Sequence, residues 1–151
     1  MNAPAPVVVE SGHYGRLVVA RLKPNEDLVE ALEALCAAHA IARAVVRSVV
    51  GSLVEAQLAR GHGSTAQSLL VPGPGVEILT VSGEVWADGG QGADTPGPGA
   101  ARTSLNGIVA DTEGQMYAGR FVRGGNRSFI TIEVTLQEWI VETRREEAAG
   151  C

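Results

Sequence analysis

The chain has 151 residues, the size of one domain, and 45% of them are hydrophobic, which suffices for a globular core. Only 4% are aromatic, so the core must consist mainly of Val, Leu, Ile and Ala. The formal charge of −5 has the wrong sign for general electrostatic binding of nucleic acid. Cys36 and Cys151 predict neither a disulfide nor a metal site, and residues 1–11 contain no signal peptide. We therefore expect a soluble, cytoplasmic protein that does not associate with membranes.

The first predicted elements are a strand and a helix. Residues 16–22 are rich in valine and predict a strand, which leaves residues 1–14 as a segment in front of the domain. Pro24 ends this strand, and Asn25 is a suitable N-cap for a helix. Apolar residues then recur at three- and four-residue spacing, which predicts one amphipathic helix that runs to about Ala40.

The middle of the chain predicts strands that are rich in β-branched residues. They cover 41–50, 53–59, 69–71 and 76–86, with Gly51 as a bulge or a turn between the first two. Residues 87–101 contain many glycines and almost no apolar bulk, which predicts a mobile loop inside the domain. Such a loop serves either as a lid or as a plain insertion, and we favour the insertion.

The last third of the chain predicts an antiparallel meander. Strands over 103–110 and 115–122 are followed by a long strand over 128–139, in which apolar and polar residues alternate. From residue 142 the charged sequence predicts a frayed tail or a short helix. The expected fold is α+β, with one main helix against a mostly antiparallel sheet of about seven strands. A single domain over 15–140 would precede a charged tail over 141–151.

The turn between the first two strands of this meander sets their register. Gly114 follows Asp111, Thr112 and Glu113, and this pattern fits a type I turn with a glycine bulge. That register places Asn106 opposite Arg120, and Ile108 opposite Ala118.

No motif for catalysis, phosphate binding or metal binding is present in the sequence. There is no glycine-rich loop with a following lysine, no CxxC and no HExxH. His13, His39 and His62 lie in three different segments. We therefore predict no cofactor and lean towards a protein that is not an enzyme.

The order and spacing of several features are similar to the plant-and-prokaryote conserved (PPC) domain. The resemblance covers about Gly15 to Trp139. Its features are the helix, the strand pair around Gly51, Val76-Glu77-Ile78-Leu79 with Ser82-Gly83, the series Leu105, Asp111, Gly114 and Gly119, and Glu133 in the last strand.

The resemblance implies a compact antiparallel α+β fold that assembles as a homotrimer. In plant members the domain is attached to AT-hook segments that bind DNA, and the stretch matching Val76–Leu79 is tied to protein–protein contact. We therefore take Val76, Glu77, Ile78 and Leu79 as candidate interaction residues. Bacterial members stand alone and often carry a DNA-binding label. No Arg-Gly-Arg-Pro core occurs in this chain, so that label does not transfer on residue evidence.

The resemblance also indicates a site that has changed. Many prokaryotic relatives carry histidines at the positions that are Asn106, Ile108 and Arg120 in this chain. These three residues cannot hold a metal, because arginine stays protonated and isoleucine has no donor atom. Asn106 and Arg120, with Glu77 nearby, could instead bind a carboxylate or a phosphate. Alternatively the site is vestigial, and Arg120 pairs with an acid at a subunit contact, either Glu77 or an Asp of a neighbouring chain.

Two functional interpretations remain, and a third is weaker. We expect a non-catalytic, homotrimeric binding module whose partner is another protein. The alternative is a small-anion-binding protein or enzyme with its site at Asn106 and Arg120. Arg120, Arg123 and Arg127 form either a basic patch for nucleic acid or a solubilising turn, and we favour the turn because direct DNA binding conflicts with the net charge.

Overall fold

The computed structural model describes residues 6–87 and 103–148, which form one antiparallel sheet and one α-helix. Apart from Ala87, the loop predicted over 87–101 lies outside the described residues, as does Cys151. No helix of the described residues is long and apolar enough to cross a membrane. The elements are β1 (Val7–Leu22), α1 (Leu28–Ala38), β2 (Arg43–Leu53), β3 (Ala56–Arg60), a 3₁₀ turn (Gly63–Thr65), β4 (Gln67–Val71), β5 (Val76–Trp86), β6 (Ser104–Ala110), β7 (Met116–Phe121) and β8 (Ser128–Glu147).

The eight strands lie in the order β1-β8-β2-β5-β6-β7-β3-β4. This confirms the predicted α+β class, with eight strands where about seven were expected. One face of the sheet carries the core, to which α1 contributes Leu28, Leu32 and Cys36, each 0% exposed. The strands contribute alternate residues to that core, such as Ile132 and Leu136 of β8. The opposite face, called the outer face below, is covered by no helix of the described chain.

The helix begins later than predicted because a tertiary contact fixes its start. Its N-cap is Asp27, not Asn25. Asp27 Oδ1 accepts the N–H of Glu30 at 3.1 Å, and Oδ2 accepts the N–H of Asn126 at 2.9 Å. Asn25 instead adopts a φ of 67° in a turn, where its N–H donates to the carbonyl of Ser128 at 2.8 Å. Asn126, in the connection between β7 and β8, thus holds Asp27 in place as the N-cap of α1.

Strands β1 and β8 both extend beyond their predicted ends. β1 starts at Val7, inside the segment that was expected to precede the domain. The expectation of a frayed tail or short helix was wrong for residues 142–147, since β8 continues to Glu147. Both extensions pair with each other, from Val7 with Glu147 to Tyr14 with Trp139. β2 pairs with β8 only as far as Glu138. From Trp139 to Glu147, β8 pairs with β1 alone, and these two segments form a two-stranded ribbon.

Gly51 lies within β2, and the register of β2 against β8 shifts between Gly51 and Leu53, which agrees with the predicted bulge and not with the alternative of a turn. Its φ is 153°, and a Cβ at this position would lie 2.4 Å from the carbonyl oxygen of Thr131. Glycine therefore allows β8 to approach β2 closely while the strand continues to Leu53. The strand predicted over 76–86 is β5 with the same bounds.

The turn between β6 and β7 has the predicted pairing. Gly114 has a φ of 83°, and its N–H donates to the carbonyl of Asp111 at 3.0 Å. The Asp111 carboxylate stabilises the turn, because Oδ1 accepts the N–H groups of Glu113 and Gln115, both at 2.9 Å. The register that this turn imposes governs the outer face of β6 and β7.

Candidate functional site

The predicted pairing of Asn106 with Arg120 is present on the outer face. Asn106 of β6 pairs with Arg120 of β7 on one side and with Ser82 of β5 on the other. Ile108 pairs with Ala118, also as predicted. Ser82, Asn106 and Arg120 are all exposed, and we call them the polar row. The three side chains form a row because residues that pair across neighbouring strands point to the same face of the sheet.

A shallow cavity of about 300 Å³ lies beside the polar row. Its side chains include the hydroxyls of Thr80 and Ser82 and the amide of Asn106, and no carboxylate of the described residues lines it. The Arg120 side chain forms no hydrogen bond and no ion pair within the described chain. Hydroxyls, an amide and a guanidinium without an acidic neighbour form a donor-rich surface, which suits an anion better than a cation.

Glu77 lies apart from the polar row. It pairs with Ala110, at the opposite end of β6 from Asn106, and it makes no ion pair with Arg120. Of the four candidate interaction residues, Val76 is 0% exposed and Ile78 is 4% exposed, so both belong to the core. Only Glu77 and Leu79 face solvent, and the interaction role of this segment stays a prediction.

The three arginines of the weak nucleic-acid prediction are in different environments. Arg123 forms an ion pair with the buried carboxylate of Glu33, and its Nε lies 3.8 Å from Glu30 Oε1. Arg127 is exposed, and its carbonyl oxygen accepts the N–H of Val54 at 2.8 Å. Two glutamates therefore offset the charge of Arg123, although its side chain is 55% exposed, and among the described residues Arg120 and Arg127 form no ion pair.

A second candidate site, which the sequence analysis missed, is centred on Arg43 at the start of β2. Its guanidinium forms two hydrogen bonds with Glu84, from Nη2 to Oε1 at 2.7 Å and from Nε to Oε2 at 3.2 Å. Nη1 donates to Glu10 Oε2 at 2.5 Å. The guanidinium carbon lies 4.7 Å from the centroid of the Trp86 ring, which adds a cation–π contact. Arg43 thus joins β1, β2 and β5.

Trp139 and Tyr14 extend this cluster along β8 and β1. Trp139 Nε1 donates to Glu10 Oε2 at 3.4 Å. The Tyr14 and Trp139 rings meet edge to face, with centroids 5.7 Å apart. Half of the six aromatic residues of the chain, including both tryptophans, therefore gather around one arginine.

The charges of the Arg43 cluster stabilise one another. Burial raises the pKa of Glu10. The hydrogen bond with Arg43 and the positive charge of Arg43 together lower this pKa by more, so it lies below its ordinary value. Burial lowers the pKa of Arg43, but hydrogen bonds with Glu84 and Glu10 raise it above its ordinary value. Both groups are consequently charged at neutral pH.

Two cavities flank this cluster and share Glu10, Arg43 and Trp139 in their lining. The first, of about 520 Å³, lies on the outer face and is also lined by Val8, Tyr14, Val45 and Glu84. The second, of about 550 Å³, lies towards the end of α1 and also contacts Trp86, Glu138 and Arg144. The partners of Arg43 are far apart along the chain, so no local motif marks these sites. Only the two tryptophans, which are rare residues, could have drawn attention to them.

No group of three or more His, Cys, Asp or Glu residues within 6–87 and 103–148 is arranged to hold a metal ion. At the positions where the family resemblance implies histidines, Asn106, Ile108 and Arg120 present an amide, an alkyl group and a guanidinium. These three side chains do not form a ligand set for a metal.

The fold and its outer face define a class: a small α+β domain with one uncovered sheet face and no metal centre in its described part. The family model of the Plants and Prokaryotes Conserved (PCC) domain matches residues 9–140, and the chain belongs to this family, which is the PPC family inferred above. No curated protein matches the chain.

Several solved structures share this fold. A PPC protein of Pyrococcus horikoshii is 17% identical with a TM-score of 0.68, and the match covers 89% of this chain and 87% of that chain. A metal-containing protein of Archaeoglobus fulgidus is 20% identical with a TM-score of 0.68 and the same two coverages. A candidate DNA-binding protein of Bacteroides thetaiotaomicron is 14% identical with a TM-score of 0.64, covering 83% and 82%. At these identities the likeness shows the fold.

Proposed function

We propose that this PPC-family chain is a homotrimeric binding module that acts through surface contacts and not through catalysis. The observation that carries the proposal is a set of large apolar side chains exposed on the outer face. Val19 is 71% exposed and Val50 is 64% exposed, although both lie in the interior of strands. Single exposed apolar residues are ordinary, but a set distributed over one uncovered sheet face is typical of an interaction surface.

The exposed residues occupy neighbouring strands. Val19 pairs with Thr135 of β8, and Val50 pairs with Glu133 of the same strand. Leu79 lies next to Val50, because Gly51 pairs with Ile78. We call the set the outer patch; its members are Leu17, Val19, Val50, Leu79 and Ile108.

The outer patch mixes apolar and polar side chains, as expected for a contact between subunits and not for the interior of a domain. Thr135 and Glu133 lie between the apolar residues of β1 and β2, so the outer patch is interspersed with polar groups. Interfaces between folded subunits have this mixed character more often than domain cores do. The family resemblance supports three copies, and the free, buried thiol of Cys36 is consistent with a reducing cytoplasm.

Native mass spectrometry of the purified protein tests the assembly. We expect a particle of three times the chain mass of 15.7 kDa. Val50→Lys should shift the population towards single chains, because it places a charge in the outer patch. Met116→Lys is the matched control, since Met116 is 69% exposed but lies at the start of β7. A wild-type protein that is monomeric at micromolar concentration would contradict the proposal.

A second candidate function is binding of a small anion at the polar row. Its support is the free guanidinium of Arg120 beside a cavity lined by Thr80, Ser82 and Asn106. Asn106 and Arg120 would offer an amide and a planar guanidinium to one carboxylate or phosphate group. Glu77 is not part of this candidate, because the register places it elsewhere.

Thermal unfolding with added inorganic phosphate or acetate tests the second candidate. An anion that binds the folded state raises the melting temperature with increasing concentration. Arg120→Ala should abolish the shift, whereas Arg127→Ala, another exposed arginine, should preserve it. Equal shifts in all three proteins would show that the effect is general and would remove the polar row as an anion site.

Direct DNA binding is not part of the proposal. The relatives that carry a DNA-binding name share the fold at low identity. In this chain the net charge is −5, and Arg123 is paired with glutamates.

A further inference from the structure

The larger cavity of the outer face has a chemistry distinct from that of the polar row. It lies where the β1–β8 ribbon joins the sheet, and β1 is irregular between Tyr14 and Leu17. Trp139 and Tyr14 line it on the ribbon side, and Val45 and Glu84 line it on the sheet side. Its volume of about 520 Å³ is in the range of small-molecule sites.

The charged groups in the lining leave an excess of negative charge. Glu10 and Glu84 contribute two carboxylates against the single guanidinium of Arg43. Arg144, which pairs with Glu10 across β1 and β8, also acts on Glu10, but it lines the second cavity and not this one. The side chains that line this cavity therefore carry a net charge of about −1 at neutral pH.

One carboxylate oxygen of this lining has capacity for a ligand. Glu10 Oε2 accepts from both Arg43 and Trp139, whereas Oε1 forms no hydrogen bond with any residue in 6–87 or 103–148. The Glu10 side chain is only 20% exposed and the Arg43 side chain only 15%, so bulk solvent screens this charge less than it would at an open surface. A donor that reached Oε1 would complete the hydrogen bonding of a partly buried anion.

The aromatic rings supply the second half of the recognition. The electron-rich faces of tyrosine and tryptophan attract cations, and their area covers an apolar body. Tyr14 is 49% exposed, and it is held by its edge-to-face contact with Trp139. Val8 and Val45 add aliphatic surface to the same walls.

We propose that the cavity bounded by Glu10, Tyr14, Val45, Glu84 and Trp139 binds a small organic cation: a primary amine with an apolar body. The ammonium group would bind at Glu10 and Glu84, and the apolar body would lie against Tyr14 and Trp139. None of these five residues belongs to the outer patch or to the polar row, although Leu17 of the outer patch lies across Gln137 from Val45. The proposal does not rest on the proposed function, because its probes report binding of the amine and not the number of chains.

Isothermal titration calorimetry of the full chain with three matched probes tests the charge requirement. The probes are 2-phenylethylamine, the neutral 2-phenylethanol and the anionic phenylacetate, which share one aromatic body. We expect the amine to bind at least about tenfold more tightly than either of the others, the equivalent of one favourable charge interaction. Equal binding of the three probes, or no binding of the amine, would overturn the proposal.

Three variants locate the bound amine. Tyr14→Leu removes a half-exposed ring while keeping apolar bulk, and should weaken amine binding about three- to tenfold. Glu10→Gln should weaken it about tenfold and leave binding of phenylethanol unchanged, which a general loss of structure would not do. Glu113→Gln, at an exposed glutamate in the turn between β6 and β7, should leave amine binding unchanged. Wild-type affinity in both Tyr14→Leu and Glu10→Gln would also overturn the proposal.

Discussion

Asn106 and Arg120 lie directly opposite each other in the β6–β7 pair, and a single glycine at the tip of the hairpin sets this relationship. Gly114 closes the turn in the left-handed region, so the two strands meet in one register and present the same face at both positions. The polar row of the outer face is therefore a consequence of local turn chemistry, extended to β5 through the pairing of Ser82 with Asn106.

Gly114→Ala should lower the free energy of unfolding by about 1 kcal/mol, because alanine resists a positive φ. Apart from Gly114 and its two chain neighbours, no described residue has an atom within 4 Å of the added Cβ, so the cost is conformational and not steric. Gly114→Asn should cost less, since asparagine tolerates the left-handed region. Urea unfolding of the three proteins measures the difference. A loss for asparagine as large as that for alanine would contradict this explanation.

Asn126→Ala should destabilise the protein by about 3 kcal/mol, since it leaves buried backbone groups without partners. Asn126 is 0% exposed, and its amide bonds the N–H of Gln57 and the carbonyls of Gln57 and Val122 at 2.9 to 3.0 Å. Asn106→Ala is the matched control, because Asn106 is exposed, and it should change stability by less than about 0.5 kcal/mol. Chemical denaturation measures the free energy of unfolding of both variants. Similar losses in Asn126→Ala and Asn106→Ala would contradict this explanation.

The thiol of Cys36 should be unreactive in the folded protein. Burial, followed by the nearby charges of Glu33 and Glu138, raises its pKa from 9.0 to about 11. At pH 8 this reduces the thiolate fraction about a hundredfold relative to the unfolded chain. Labelling with a chromogenic disulfide reagent measures the rate, with Cys151→Ser as the background so that one thiol remains. Fast labelling without denaturant would contradict the assignment.

The same shift gives a pH dependence with a definite sign. The folded state holds the thiol proton more tightly than the unfolded state does, so the contribution to stability is fully present below pH 9 and is lost as the pH rises towards about 11. Cys36→Ala should remove this part of the alkaline destabilisation. An identical slope in the variant, measured by urea unfolding between these pH values, would argue against it.

Duplex DNA should not bind with a steep dependence on salt. The chain carries a net charge of −5, and Arg123 is paired with Glu33 and Glu30. Fluorescence anisotropy with a labelled duplex at low salt checks this expectation. If affinity fell steeply as salt increased, Arg120→Ala and Arg127→Ala would show whether these two exposed arginines contact phosphate.

Local sequence determined much of the eventual fold. The alternation of apolar and polar residues in residues 128–139 placed β8 with one face in the core, and the β5 bounds followed from the run between Gly75 and the glycine-rich stretch. The Asp111–Gly114 turn fixed the opposition of Asn106 and Arg120. These features depend on neighbours within a few residues, where backbone preferences and side-chain periodicity act directly.

The tertiary structure decided everything that depends on contacts between distant residues. In the ribbon, Val7 pairs with Glu147. The charged sequence from residue 142 did not predict a strand, because its pairing partner lies at the other end of the chain. Asp27, and not Asn25, became the helix cap because Asn126 shares its carboxylate. The Arg43 cluster brings Glu10, Glu84 and both tryptophans from three strands to Arg43 on a fourth. The order β1-β8-β2-β5 places these four strands side by side. That order depends on which long-range strand pairings together bury the most apolar surface.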